Sequence, residues 1–227
     1  MIIVLLGPPG AGKGTQGDRV AAELAVPKLA TGDVLRAAVR DGTEMGRAAK
    51  GYMDRGELVP DSVILGIMKE ALAGPGMERG VVLDGVVRTV PQAEGLDRVL
   101  GELGRPLDAV LMFEVGEEEL VRRLGGRTVC ETCQTPYSGR EPGSRCEKPG
   151  CGGTLVRRKD DEPDAIRTRM RAYREQTAPL VAFYSGEVAA GGARDGQARG
   201  GTRYIAVDAV GAVDDVTRRV MRELRGA

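Results

Sequence analysis

The chain contains no histidine and no tryptophan, and its aromatic residues amount to two phenylalanines and five tyrosines in 227 residues. Without histidine, acid-base catalysis and metal ligation by imidazole are both excluded. The shortage of aromatics argues against stacking platforms for single-stranded nucleic acid. Net charge is absent too, because 33 basic residues balance 33 acidic ones. No long-range field draws the chain to nucleic acid or to an anionic membrane surface, so any basic site must be local. Lysine is scarce, 6 residues against 27 arginines, and arginine abundance by itself carries no functional weight. No window reaches the apolar length of a membrane span, and the apolar run at the N-terminus is too short, and lacks a basic region before it, for a secretory signal. These absences lead us to expect a soluble cytoplasmic protein with neither nucleic acid nor membrane as partner.

What is present begins with Met1 to Leu6, wholly apolar, the pattern of a strand buried on both faces of a parallel sheet. Thr15 to Leu24 has helical character. Between them lies Gly7-Pro8-Pro9-Gly10-Ala11-Gly12-Lys13-Gly14-Thr15. Gly7, Gly12 and Lys13 fit the G-x-x-x-x-G-K spacing of a phosphate-binding loop, with Gly14-Thr15 in place of the usual immediate Ser or Thr. Such glycines let successive N–H groups converge on phosphate oxygens, while the helix start adds partial positive charge and Lys13 a full one. A glycine-rich turn that merely joins strand to helix is the plainer alternative, and the strand-to-helix context favours the polyphosphate cradle.

Further along, Val34 to Val39 reads as a helix capped by Thr31 or Asp33. Gly42 to Val59 reads as a small charged helical insertion, and Asp61 to Ala73 as a helix. Val81 to Leu83, Ala109 to Val115 and Tyr204 to Val207 are further strands; Glu117 to Leu124, Asp160 to Glu175 and Asp214 to Leu224 are further helices. The alternation argues for a doubly wound α/β core, whose ligands sit at the C-terminal strand ends, where Asp84 falls. Gly186 to Thr202 lacks periodicity and reads as an exposed loop. Gly125 to Lys159 is poor in Leu and Ile and cannot bury enough apolar surface to fold unaided. It carries Cys130-x2-Cys133 and, after twelve residues, Cys146-x4-Cys151. That set suits a tetrahedral zinc with four thiolates; two disulfides are the alternative.

Taken together these motifs resemble adenylate kinases of the long-lid, zinc-containing bacterial type. Gly7 to Gln16 is similar to that family's phosphate loop. Ala30-Thr31-Gly32-Asp33-Val34-Leu35-Arg36 resembles its first monophosphate-site motif, and Leu83-Asp84-Gly85-Val86-Val87-Arg88-Thr89 with Gln92 its second. Arg123-Leu124-Gly125-Gly126-Arg127, Arg158-Lys159-Asp160-Asp161, and Arg169 with Tyr173 and Thr177-Ala178-Pro179-Leu180 resemble the lid borders. The resemblance covers nearly the whole chain in order.

It implies the reaction ATP + AMP to 2 ADP on a monomer with a five-stranded, doubly wound parallel sheet of the P-loop NTPase type. The implied core comprises residues 1–29, 61–124 and 162–227, the AMP-binding domain 30–60 and the zinc-bearing lid 125–161. Lys13, Arg88, Arg123, Arg158 and Arg169 are the implied catalytic cations, with Asp84 orienting waters on an ATP-bound Mg²⁺. ATP is implied at Gly10, Ala11, Gly12, Lys13, Gly14, Thr15, Arg123, Arg127, Pro136, Tyr137 and Gly211. AMP is implied at Thr31, Arg36, Glu57, Leu58, Val59, Gly85, Val86, Val87, Arg88, Gln92, Arg158 and Arg169. Cys130, Cys133, Cys146 and Cys151 are the implied ligands of a structural zinc. Phosphoryl transfer asks for in-line positioning, charge neutralisation and exclusion of water, which arginines, a lysine and closing domains supply.

The chain departs from the family pattern in two places. Gly85-Val86-Val87-Arg88 stands where the family has Gly-Phe-Pro-Arg with a typically cis proline. A cis bond before Val87 would cost about 3 to 4 kcal/mol, so a trans bond is expected. Arg88 then reaches phosphate through a re-shaped loop, or AMP binds more weakly. The second cysteine pair spans four residues instead of two, and Gln134 replaces a glycine after the first pair. The competing readings are a kinase for UMP, CMP or GMP, which Thr31 and Gln92 disfavour, a catalytically weak nucleotide-binding protein, and a zinc-ribbon nucleic-acid or protein-binding module.

Overall fold

In a computed structural model that describes residues 1–186 and 201–226, the apolar runs form a parallel sheet. Its strands are β1 (Ile2–Leu6), β2 (Lys28–Ala30), β3 (Val81–Asp84), β4 (Ala109–Glu114) and β8 (Arg203–Asp208), in the order β2-β3-β1-β4-β8. β1 is central, with Val4 level with Leu83 on one side and Val110 on the other. Its alternate residues feed two cores, as the two-residue period of a strand requires. Ile2, Val4 and Leu6 join Val81, Leu83 and Val110 on one face. Ile3 and Leu5 join Val82, Leu111 and Phe113 on the other.

Helices cover both faces. Apolar residues of α4 (Asp61–Ala73), α5 (Val90–Glu102) and α8 (Pro179–Ser185) close the first core. Those of α1 (Lys13–Leu24), α6 (Glu117–Gly125), α7 (Pro163–Ala172) and α9 (Val213–Arg225) close the second. Each fully buried Val, Leu or Ile contributes about 1.5–3 kcal/mol of transfer free energy. The insertion after β2 is α2 (Thr31–Arg40) packed on α3 (Glu44–Arg55). Among the described residues no helix is long and apolar enough to cross a membrane.

After α6 the chain builds a second, antiparallel sheet of β5 (Arg127–Cys130), β6 (Pro136–Ser138) and β7 (Leu155–Val156), ordered β6-β5-β7. Its buried cluster is Cys130, Cys146 and Leu155, with Cys133, Tyr137 and Cys151 packed against them. A core with so little aliphatic content cannot hold a sheet by burial alone.

Several sequence expectations need correction. The strand β2 went unlocated because three residues after a proline are too few to show a period. Neither Thr31 nor Asp33 caps α2. Ala30 is its N-cap, and the Thr31 hydroxyl instead donates to Gly85 O at 2.7 Å. The helix expected over Asp160 to Glu175 is broken into a 3₁₀ turn at Lys159–Asp161, α7, and a π-helical turn at Tyr173–Thr177. Pro163 starts α7, and Pro179, which has no N–H and crowds the carbonyl four residues back, accounts for the wider turn before α8. Most of the loop expected over Gly186 to Thr202 lies outside the described residues. Its last residue is not exposed, since Thr202 is buried and donates to Leu107 O at 2.9 Å.

Candidate active site and cysteine cluster

The loop between β1 and α1 owes its shape to glycine. Gly7, Gly10 and Gly12 have φ of 138°, 85° and 91°, values that residues with side chains rarely adopt. A Cβ on Gly7 would also stand 2.8 Å from Phe113 O. Gly12 is the N-cap of α1 and Lys13 its first residue, so the helix's partial positive charge opens at the loop. Ala11 is buried beneath it, while Gly14 and Thr15 form the first turn. Lys13 Nζ donates to Gly7 O at 2.6 Å and Pro8 O at 2.9 Å, which ties the ammonium to the loop. Burial pushes that ammonium down to about 7; Asp84 opposes the fall, and Arg88, Arg169 and Arg127 add to it. Asp84 ends β3, and a Cβ on Gly14 would meet its Oδ2 at 3.5 Å, so the carboxylate lies against the start of α1.

Lys13, Gly85, Val87, Arg88 and Arg169 line one cleft, with Leu58 and Tyr173 on its walls. Burial lowers the Arg88 guanidinium, with Asp84 and Asp160 opposing and Arg158 adding to the fall. Burial, then Arg158, lowers Arg36 on α2, and Asp33 one turn back pairs with it. Burial lowers Arg169 to about 10.

Two carboxylates organise these cations. Arg127 meets Asp161 in a two-pronged pair at 2.7 and 2.5 Å, and Arg169 Nη1 bonds Asp161 Oδ1 at 2.7 Å and Asp160 O at 2.8 Å. Arg158 forms a fork on Asp160 at 2.8 and 2.6 Å. Against the cost of burial, Arg169 and Arg158 hold the Asp160 carboxyl down at about 2. These acids were quoted in the sequence only as part of a border motif. Their adjacency to Arg158 was the available signal, but no pattern says which arginines fold back onto them.

Arg123 stands apart from this group: it pairs with Glu119 at 2.7 Å and donates to Ala209 O at 3.0 Å beside the end of β8. Gly211, at φ 115°, lies in the following turn. Pro136 and Tyr137 sit on β6, and the Tyr137 hydroxyl is engaged with Cys146 Sγ. Glu57 is exposed and pairs with Arg55 at 2.7 Å, and Val59 is buried.

Thr31 and Gln92, expected near an adenine, are both almost wholly buried with their polar atoms in use. Gln92 accepts from Arg88 N at 2.7 Å and donates to Asp61 at 2.7 Å. Val86 and Val87 are buried in the core, and no peptide bond among the described residues is cis. Arg88 lines the cleft, where its Nε donates to Gly85 O at 3.2 Å. Thr177, at the end of the π turn, donates to Arg88 O at 2.8 Å, a contact the sequence did not announce.

The four cysteines are unbridged, and their sulfurs all lie within 4.8 Å of one another. Cys130 and Cys151 are 3.5 Å apart and Cys133 and Cys146 3.6 Å. Tetrahedral zinc with Zn–S of about 2.3 Å sets S···S near 3.8 Å, so the donor set and its spacing fit a closed, four-thiolate site.

Comparison with known proteins follows the same lines. A family model described as adenylate kinase matches residues 5–189. An adenylate kinase of Gemmatimonas aurantiaca is 61% identical over 225 residues, covering 99% of both chains. One from Salinispora tropica is 44% identical over 229 residues, covering 99% of this chain and 98% of its own. One from Archaeoglobus fulgidus is 47% identical over 188 residues, covering 81% and 86%.

Proposed function

The chain belongs to the adenylate kinase family, and on that premise we propose that its cleft moves the γ-phosphoryl group of ATP to AMP, reversibly, with the residues described above as its machinery. The observation that carries the reading is a linked set of cations at a phosphate-type loop: Lys13, Arg88 and Arg169 line the cleft, Arg127 acts electrostatically on Lys13 and Arg169, Arg158 on Arg88 and Arg169, and Arg36 joins through Arg158. Five arginines and a lysine suit a reaction in which two polyphosphates meet and the protein supplies alignment and positive charge.

In this scheme Lys13 and the N–H groups of Gly10 to Thr15 hold the β- and γ-phosphates. Arg123 and Arg127 serve ATP from the far side, with Pro136, Tyr137 and Gly211 flanking its nucleoside. Arg36 and Arg88 grip the AMP phosphate, while Arg158 and Arg169 span donor and acceptor. Thr31, Glu57 to Val59, Gly85 to Val87 and Gln92 form the AMP pocket. Residues 1–29, 61–124 and 162–227 act as the core, 30–60 as the AMP-binding domain and 125–161 as a lid, and closure of the two smaller units excludes water. Asp84 fits the family's Mg²⁺, an ion that keeps its waters and borrows few protein oxygens. Bound with ATP, that ion neutralises phosphate charge, and Asp84 orients its waters. Zinc on the four cysteines is structural, with no open position for chemistry. The protein works as a soluble monomer.

The test is a coupled assay for ADP formed from ATP and AMP, run beside UMP, CMP and GMP as acceptors. AMP is the expected acceptor. Faster turnover of another monophosphate overturns the AMP assignment, and no ADP from any acceptor overturns the reaction.

A further inference from the structure

The cysteine cluster contains an asymmetry that its sequence explains. Metal-bound thiolates need hydrogen-bond donors, and in a Cys-x2-Cys knuckle these are backbone N–H groups two and three residues after the first cysteine. Cys130 follows that rule, receiving the N–H groups of Thr132 and Cys133. Cys133 has the backbone N–H of Thr135 and its hydroxyl at 3.1 Å. Cys151 has the N–H of Gly153. Each of these donors lies within three positions of its sulfur.

Cys146 is served differently. Three residues after it stands Pro149, which has no N–H. The N–H groups of Glu147 and Lys148 point to the Tyr137 hydroxyl oxygen, that of Glu147 at 3.0 Å. The hydroxyl itself lies 3.2 Å from Cys146 Sγ. A ligating thiolate carries no proton, so the hydroxyl, accepting from the backbone, donates to the sulfur.

We infer that Tyr137 is a positioning residue of the metal site, relaying to Cys146 the hydrogen bond that Pro149 and the widened Cys146-x4-Cys151 knuckle withhold. It also fastens β6, on which it sits, to the otherwise strandless stretch carrying Glu147 and Lys148. The inference rests on the reading of the four cysteines as a metal site and extends it to a residue outside the ligand set.

Tyr137→Phe keeps the ring and removes only the hydroxyl. Outer-shell partners of this kind are worth 10- to 100-fold in metal affinity. We expect a zinc affinity lower by that factor in competition with a chromophoric chelator, together with shifted thiolate-to-metal absorption bands in the Co²⁺-loaded protein. Ser138→Ala, on the same strand, should leave both unchanged. In the Tyr137→Phe background Pro149→Ala restores an N–H and should recover part of the lost affinity; no recovery overturns the role given to Pro149. Zinc affinity of Tyr137→Phe within about twofold of the parent, with unaltered Co²⁺ bands, overturns the inference. A parent protein that binds no zinc with all four thiols reduced overturns the metal reading itself. Circular dichroism of the zinc-loaded proteins identifies any variant that fails to fold.

Discussion

The parallel sheet and the small antiparallel sheet are held together by different physics. In the first, every residue of β1 is at most 2% exposed and its side chains feed two apolar clusters, so folding energy is spread over dozens of contacts. In the second, the aliphatic content of the buried cluster is Leu155, and the rest is sulfur with a tyrosine against it. There, on the proposed reading of the four cysteines as a metal site, the energy is concentrated in four thiolates and the ion they would hold. The lesson is that one chain can carry a unit with many weak supports beside a unit with one strong support, and that the two should fail under different insults.

The largest expected effect separates them directly. Structural zinc in small domains is worth apparent binding energies of about 10–16 kcal/mol. Stripping the metal should therefore lower the melting temperature in calorimetry and render residues 125–161 protease-sensitive while the parallel sheet persists. An unchanged melting point with the metal fully removed would contradict the comparison.

Next in size, Lys13→Met should reduce kcat/KM about 10³-fold, roughly 4 kcal/mol of transition-state stabilisation, with metal content unaltered. The same variant tests a pH effect. With Lys13 near 7, bound phosphates should raise it, so ATP binding at pH 8 should take up protons and weaken as pH rises. Calorimetry in buffers of different ionisation enthalpy measures that uptake, which Lys13→Met should abolish.

Leu83→Ala should cost about 2–5 kcal/mol in denaturant unfolding and leave zinc affinity as it was, the converse of metal removal. The smallest effect is expected from Val86→Phe combined with Val87→Pro: KM for AMP should move severalfold while KM for ATP holds, and unchanged AMP kinetics would argue against the altered-affinity reading. Both valines are buried, so the larger phenylalanine should also show an overpacking penalty of about 1–3 kcal/mol.

The sequence disclosed the strands and the loop of this protein well because both are local patterns. Ile2 to Leu6 is an uninterrupted apolar run, and Gly7 to Lys13 has fixed spacing. Short or compensated features escaped. β2 is three residues long, and the π turn at Tyr173–Thr177 depends on how Pro179 meets the residues before it. At the site, the cations could be named from motifs, whereas their partners could not. Asp161 holding both Arg127 and Arg169, and Thr177 holding the Arg88 carbonyl, are matches across 8 to 89 positions of sequence that no one-dimensional pattern encodes. Tyr137 is the opposite case. The resemblance singled it out only beside a nucleotide; its place on β6 and its engagement with Cys146 needed the fold.

The carboxylates of Asp160 and Asp161 give their arginines the character of an ion exchanger. Arg127, Arg158 and Arg169 already carry carboxylate partners, so on the proposed reading a phosphate arriving at these three replaces one anion with another, whereas Lys13 and Arg88 hold backbone carbonyls. The same carboxylates stand ready when a product leaves, and its departure leaves these three guanidinium groups paired. Each entry and each exit thereby becomes a swap between near equals, which tempers how tightly the site can grip what it must also release.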